Sequence, residues 1–473
     1  MNKKYLSSMI LRTGAALCVA AGAFGFAPAP VVTTPVCSAE ATTAELLPEI
    51  AEIRDLTICA WAALVSRDDH AGQTARYTLQ AMGYDLSGLK LDTPKGNAEF
   101  NIISAADETG AVKSKILVMG GTTTLSESAN LDEPAPVFFE GGNPFAEAST
   151  STAERKIIEP QVHHGFDLRV KTFFFTPDAN GQIIGHQLAE ELKANPDLKL
   201  HIVGHGNSGA TATLLGARLL NLSVPREQLE VVTFGAPPVG NEAFGRYYLH
   251  RLPLTRVVMK SGAIVNFLKN NNELFDQYGD KREWTPSKVI SDSPHEMTSY
   301  LDSALHLFFD RAATYPTPPA RPDASEIYMA PIHFNLDPRL ASDQLYMDEA
   351  LTNSLRQMYP GARFATDQQE TVAQSIAAAK RLGAKFVLVE LVSSDLPSYS
   401  KENYPRLTLT ETIYRIDGSF IFYQESSLRL KKISPIEGCL YNQISLKEAR
   451  DAALASSAQS GDAVPQLTFS LSS

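Results

Sequence analysis

Cysteine is scarce, with four residues in a chain of 473. No CxxC pair and no cluster of His and Cys occurs, so no metal site and no cofactor is expected. Cys18 and Cys37 lack the small residues before them that a lipoprotein signal would need. For Cys59 and Cys439, a disulfide and a pair of buried thiols remain equally open. Basic charge is also short: 42 Lys and Arg stand against 53 Asp and Glu, for a net charge of -11. Phosphate binding needs a basic face, which a chain without a basic excess disfavours, so no nucleic-acid partner is expected. With 44% hydrophobic and 20% charged residues, neither a disordered chain nor a multispan membrane protein is expected.

What is present begins with an export signal. Lys3, Lys4 and Arg12 precede the apolar stretch TGAALCVAAGAFGFA, and a Pro-rich segment then ends in Cys37-Ser38-Ala39. This layout predicts a secretory signal peptide over 1–39, with cleavage after Ala39 and a secreted, periplasmic or cell-envelope protein. A retained N-terminal anchor is the other reading of the same stretch. Cleavage removes three basic residues and no acidic one, so -11 becomes -14.

Helical periodicity runs from 45 to 85, and strand-like runs follow in AEFNIISA and KSKILVMGG. Strands then alternate with helical segments as far as MTSYLDSALHLFF, the pattern of a mainly parallel sheet covered on both faces. TYPTPPARPD, 314–323, holds four prolines in ten residues and marks a boundary. Beyond it, EIYMAPIHF reads as a strand, two helices and KFVLVELV follow, and an alternating run turns at Asp417-Gly418. The expected order is an N-terminal signal, an α/β domain over 40–313, the linker 314–323, a smaller α/β domain over 324–460 with a last helix at SLKEARDAALASSAQ, and a tail over 461–473.

Chemistry concentrates in LKLHIVGHGNSGATATLLGARLL, residues 198–220. Strand, glycine-rich corner and helix make the scaffold of a nucleophile elbow, which lifts one side chain above the sheet. The stretch resembles the elbow of the class 3 lipases (fungal-lipase-like family), commonly GHSLGGALA before a leucine-rich helix. EVVTFGAPPVGNEAF resembles the family's next strand, ILVMGGTTT its oxyanion turn, VHHGF its VHxGF stretch, and SPHEMTSYL the segment of its catalytic histidine. The landmarks keep the family's order over about 95–310, which implies an α/β-hydrolase fold.

Carried onto this chain, the family's machinery has gaps. Gly206 stands where the nucleophilic serine belongs, and Ala263 where the triad aspartate belongs. His295 matches the catalytic histidine, Thr122 the oxyanion residue, and Asn207 follows the nucleophile position and supplies its amide. Two expectations follow. In the first, ester hydrolysis is lost and the pocket serves binding or scaffolding. In the second, a lipase or esterase acts through Ser208 and His295, with Asp276, Asp280 or Asp292 as the acid and 123–159 as a lid. A lipid or ester ligand suits both, and an envelope protein partner would dock through the smaller domain. Plainer roles are packing for His205, a structural or solvated place for His163 and His164, and a helix cap for Asp292.

Overall fold

The computed structural model describes residues 48–91, 100–107, 109–120, 134–137, 139, 154, 158–177, 181–260, 275–286, 295–311, 324–395 and 404–460. The N-terminal signal, the 314–323 linker, the 461–473 tail and most of 123–159 lie outside them. The chain divides into two compact units, residues 35–444, and residues 1–34 together with 445–473. In the latter, 445–460 is helical.

The unit 35–444 opens with helices α1 (Pro48–Ala62) and α2 (His70–Ala81). Asp69 caps α2 by accepting from Gly72 N at 3.0 Å, which satisfies one of the amides a helix start leaves over. Ala71, Ala75 and Leu79 then bury one face of it. β1 (Tyr84–Asp85), β2 (Phe100–Ala106) and β3 (Val112–Met119) form an antiparallel edge. After β4 (Pro134–Pro136) and β5 (Gln161–His163) come α3 (His164–Phe175), α4 (Ile184–Ala194), β6 (Lys199–His205) and α5 (Asn207–Asn221). β7 (Leu229–Phe234), β8 (Gly240–Asn241), β9 (Leu254–Met259), β10 (Phe275–Asp276) and β11 (Asp280–Trp284) precede α6 (Met297–Asp310).

The main sheet has the order β1-β2-β3-β6-β7-β9-β11, and all its pairs from β3 onward are parallel. Such strands are covered on both faces, which is why Ile202, Val203, Val231, Val232 and Phe234 are all buried. A small antiparallel sheet, β10-β8-β5-β4, lies apart from this one in pairing.

A separate sheet contains β12 (Ile327–Met329), β13 (His333–Asn335), β14 (Arg363–Phe364), β15 (Phe386–Asp395), β16 (Arg406–Arg415) and β17 (Phe420–Arg429). Helices α7 (Gln344–Met358), α8 (Val372–Leu382) and α9 (Pro435–Ser460) accompany it. The β16–β17 turn is the Asp417-Gly418 hairpin expected from the sequence, with Gly418 at φ +83 and Ser419 N bonded to Asp417 Oδ1 at 2.8 Å.

Two element readings need correction. EIYMAPIHF is not one strand but β12 and β13, both paired with β15, because Pro331 between them has no amide to give the ladder. The last helix starts ten residues before Ser445, at Pro435. Its start is a capping box: Ser434 N donates to Glu437 Oε2 and Glu437 N to Ser434 Oγ, both at 3.1 Å. Cys59 and Cys439 are free buried thiols, and burial pushes both well up. Among the described residues no helix is long and apolar enough to cross a membrane.

Candidate active site

β6 ends at His205 and α5 begins at Asn207, so the corner between them is Gly206 alone. Its φ of 56 and ψ of -128 lie in a region that other residues enter only with strain. Gly206 N donates to Phe234 O at 2.9 Å, which ties the corner to the neighbouring strand. The helix folds back so tightly that a Cβ on Gly204 would lie 2.4 Å from Ser208 O. Among the described residues, a Cβ on Gly206 would meet one neighbour within 4 Å, His295 Nε2 at 3.8 Å. The corner thus aims its side-chain direction at an imidazole nitrogen, the relation of a nucleophile to its general base.

His295 sits just before α6, and its backbone is held by a second imidazole. His205 Nε2 donates to the His295 carbonyl at 2.7 Å, and the two rings lie 5.0 Å apart. Burial, joined by the charge His295 would carry, pushes His205 down to about 3. Burial also lowers His295, against a weaker opposite pull from Glu296. Both rings are neutral at pH 7, and a neutral His295 can accept a proton at Nε2. Its Nδ1 is buried and has no hydrogen-bond partner among the described residues. Of the three acids the sequence offered, Asp276 and Asp280 are exposed on β10 and β11 and Asp292 lies outside the described residues. The one carboxylate whose charge acts on His295 among the described residues is that of Glu296.

Ser208 lies in the first turn of α5 and is 4% exposed. Its hydroxyl donates to the Gly120 carbonyl at 3.1 Å. The same carbonyl accepts from Arg169 Nη2 at 2.5 Å. Ser208 therefore fastens the start of α5 to the end of β3. Asn207 is the first residue of α5, where its amide points along the helix start. Thr122 and Ala263 lie outside the described residues.

The plainer sequence readings fare unevenly. His205 is packed and hydrogen-bonded, as expected. His163 is fully buried between Phe166 and Phe275, with ring centroids at 5.4 and 4.4 Å. No group of three metal-ligating side chains occurs among the described residues. The cap reading of Asp292 is corrected, because α6 starts at Met297 with Glu296 in the cap position. The contacts of Arg169 with Gly120 and of His205 with the His295 backbone were not anticipated from the sequence. The first joins residues 49 apart and the second residues 90 apart.

A family model described as Lipase (class 3) matches residues 138–270, which include the elbow and the β7 and β9 strands. Over those residues the chain is similar to the class 3 lipases, on a mainly parallel α/β sheet. Among solved structures, lipase II from Rhizopus niveus is similar at 20% identity over 49% of this chain and 80% of its own, with a TM-score of 0.33. The Rhizomucor miehei lipase propeptide complex is similar at 20% identity over 55% and 78%, with a TM-score of 0.34. A triacylglycerol lipase from Penicillium expansum gives 16% identity over 50% and 81%, with a TM-score of 0.33. None of the curated proteins matches. Within the lipase-like segment, strand order and elbow geometry rest on the residues described above.

Proposed function

We propose that this chain is an exported class 3 lipase-like protein that binds a lipid ester or acyl ligand and does not form an acyl-enzyme at its elbow. The observation that carries the reading is the direction of Gly206. The position facing His295 Nε2 has no hydroxyl, while Ser208, two residues further along the chain, gives its proton to Gly120 O at 3.1 Å. Acyl transfer needs an oxygen at the apex of the turn, and the loss of a triad member costs several orders of magnitude in rate. The sequence position of Ala263 removes the acid that would orient His295, so the two gaps reinforce each other. What the chain keeps without them is the corner itself, with the amides at the start of α5 beside His295.

The test is labelling of the purified chain with a fluorophosphonate probe, beside Ser208→Ala. No stoichiometric label is expected on either protein. Stoichiometric labelling of the wild type that disappears in Ser208→Ala would overturn the reading and make Ser208 a working nucleophile. Export is tested by sequencing the N-terminus of the protein recovered outside the cytoplasm, which is expected to begin at Glu40.

A further inference from the structure

A cavity of about 220 Å³ lies between β2, the end of β3 and the C-terminal half of α3. Phe100, Met119, Phe173 and Ile184 give it apolar walls, and Lys90 and Arg169 bring two cations to it. Phe100 and Met119 are paired across β2 and β3, so one side of the cavity is fixed by the sheet. The Lys90 ammonium stands 5.3 Å over the Phe100 ring and has no carboxylate partner among the described residues. Arg169 presents its guanidinium here while one nitrogen holds the Gly120 carbonyl. Asp167, two residues before it on α3, is engaged by Lys171 at 2.5 Å. On the same helix Leu168 and Phe175 are 49% and 57% exposed, one turn to either side of Thr172, which lines the cavity.

We propose that this cavity binds an amphipathic anion, a short alkyl chain with a single anionic head, beside the elbow and apart from it. An apolar cleft with cations at its wall and an open side at Thr172, Thr176 and Pro177 favours a ligand that is apolar along its length and negative at one end, since each part then finds its own surroundings. A guanidinium and an ammonium together suit a carboxylate or a phosphate head. The volume lies below the ~300 Å³ at which sites for drug-sized ligands begin, which selects a short chain over a long one. The exposed Leu168 and Phe175 offer an apolar approach for a molecule leaving a lipid surface. The head would rest at the Lys90 ammonium, on the Phe100 side, with Arg169 adding its positive charge to the same wall. This inference uses none of the catalytic reading, and the phosphonate experiment leaves it untouched in either outcome.

Calorimetric titration of the full chain with octanoate, octyl phosphate and octanol, each below its micelle concentration, tests it. One saturable octanoate site per chain is expected, with octanol at least about tenfold weaker because charge-assisted contacts are lost. Lys90→Met keeps the aliphatic stem and should weaken octanoate by about fivefold or more, whereas Thr172→Trp, at the exposed rim, lays a ring across the open side and should abolish binding. Circular dichroism melting of both variants separates a lost site from a lost fold. Octyl phosphate binding more tightly than octanoate makes the preferred head a phosphate, and the reverse order makes it a carboxylate. The proposal falls if wild type shows no saturable octanoate binding, if octanol binds as well, or if both folded variants bind like wild type.

Discussion

At the scale of single residues, the question is how far the elbow is from a working one. A Cβ at position 206 stands 3.8 Å from His295 Nε2, so a serine hydroxyl there would fall within reach of a neutral base. Gly206→Ser would place a side chain at φ 56, at a strain cost of about 1–3 kcal/mol. The variant is expected to melt a few degrees lower and to take up a fluorophosphonate label that Gly206→Ala does not. Labelling should be slow, because among the described residues no carboxylate holds Nδ1 and the imidazole in the productive tautomer, a loss of about 10⁴ in triad enzymes. A folded Gly206→Ser protein that never labels would show that the corner and His295 are not aligned for attack. Gly206 and His295 were legible in the sequence because each sits in a motif with a fixed place in the family order. The partners that hold them were not. His205 reaches the His295 backbone, and Arg169 reaches Gly120, across separations that no local periodicity encodes.

At the scale of elements, α6 is joined to the segment before α7 by a partly buried charge contact. His306 Nε2 donates to Asp343 Oδ1 at 3.0 Å, and its Nδ1 donates to the Asp302 carbonyl at 2.8 Å. Burial alone would push His306 down, but the Asp343 bond and the Asp302 charge outweigh it and lift the imidazole to about 9. With the folded value above the unfolded one, the contribution is fully present below about pH 6.5 and is lost as pH rises through 9. The shift corresponds to at most about 3 kcal/mol. Urea unfolding at pH 6 and pH 9.5 should therefore show a stability loss in wild type that is largely missing in His306→Gln, itself less stable at pH 6. An equal loss in both proteins would assign the alkaline decline to other groups. Elements as such were easier to read than their ends. Alternation and the Asp417-Gly418 turn gave the long hairpin, whereas the start of α9 depended on a reciprocal Ser434–Glu437 bond pair hidden in SPIE.

At the scale of the molecule, the four prolines of 314–323 suggest a spacer, yet the elements on either side share a core. Trp61 of α1, Leu305 and Phe309 of α6, Ala350 of α7, and Leu440 and Ile444 of α9 all line one small pocket of about 20 Å³. Residues 35–444 group as one compact unit that includes both large sheets. Sequence periodicity locates the α6 face but cannot say what covers it, because an apolar stripe looks the same whichever partner buries it. If the shared core governs folding, differential scanning calorimetry of the full chain should give one cooperative transition, and a fragment ending at 313 should expose the α6 face and bind a hydrophobic dye. Two independent transitions, or a 40–313 fragment that melts where the full chain does, would instead make the Pro-rich stretch a true boundary between autonomous domains. The outcome also decides where function can be separated. Under a single transition, deleting 324–473 removes the lipase-like site by unfolding it, and a partner for the smaller sheet must be sought with point substitutions on its surface.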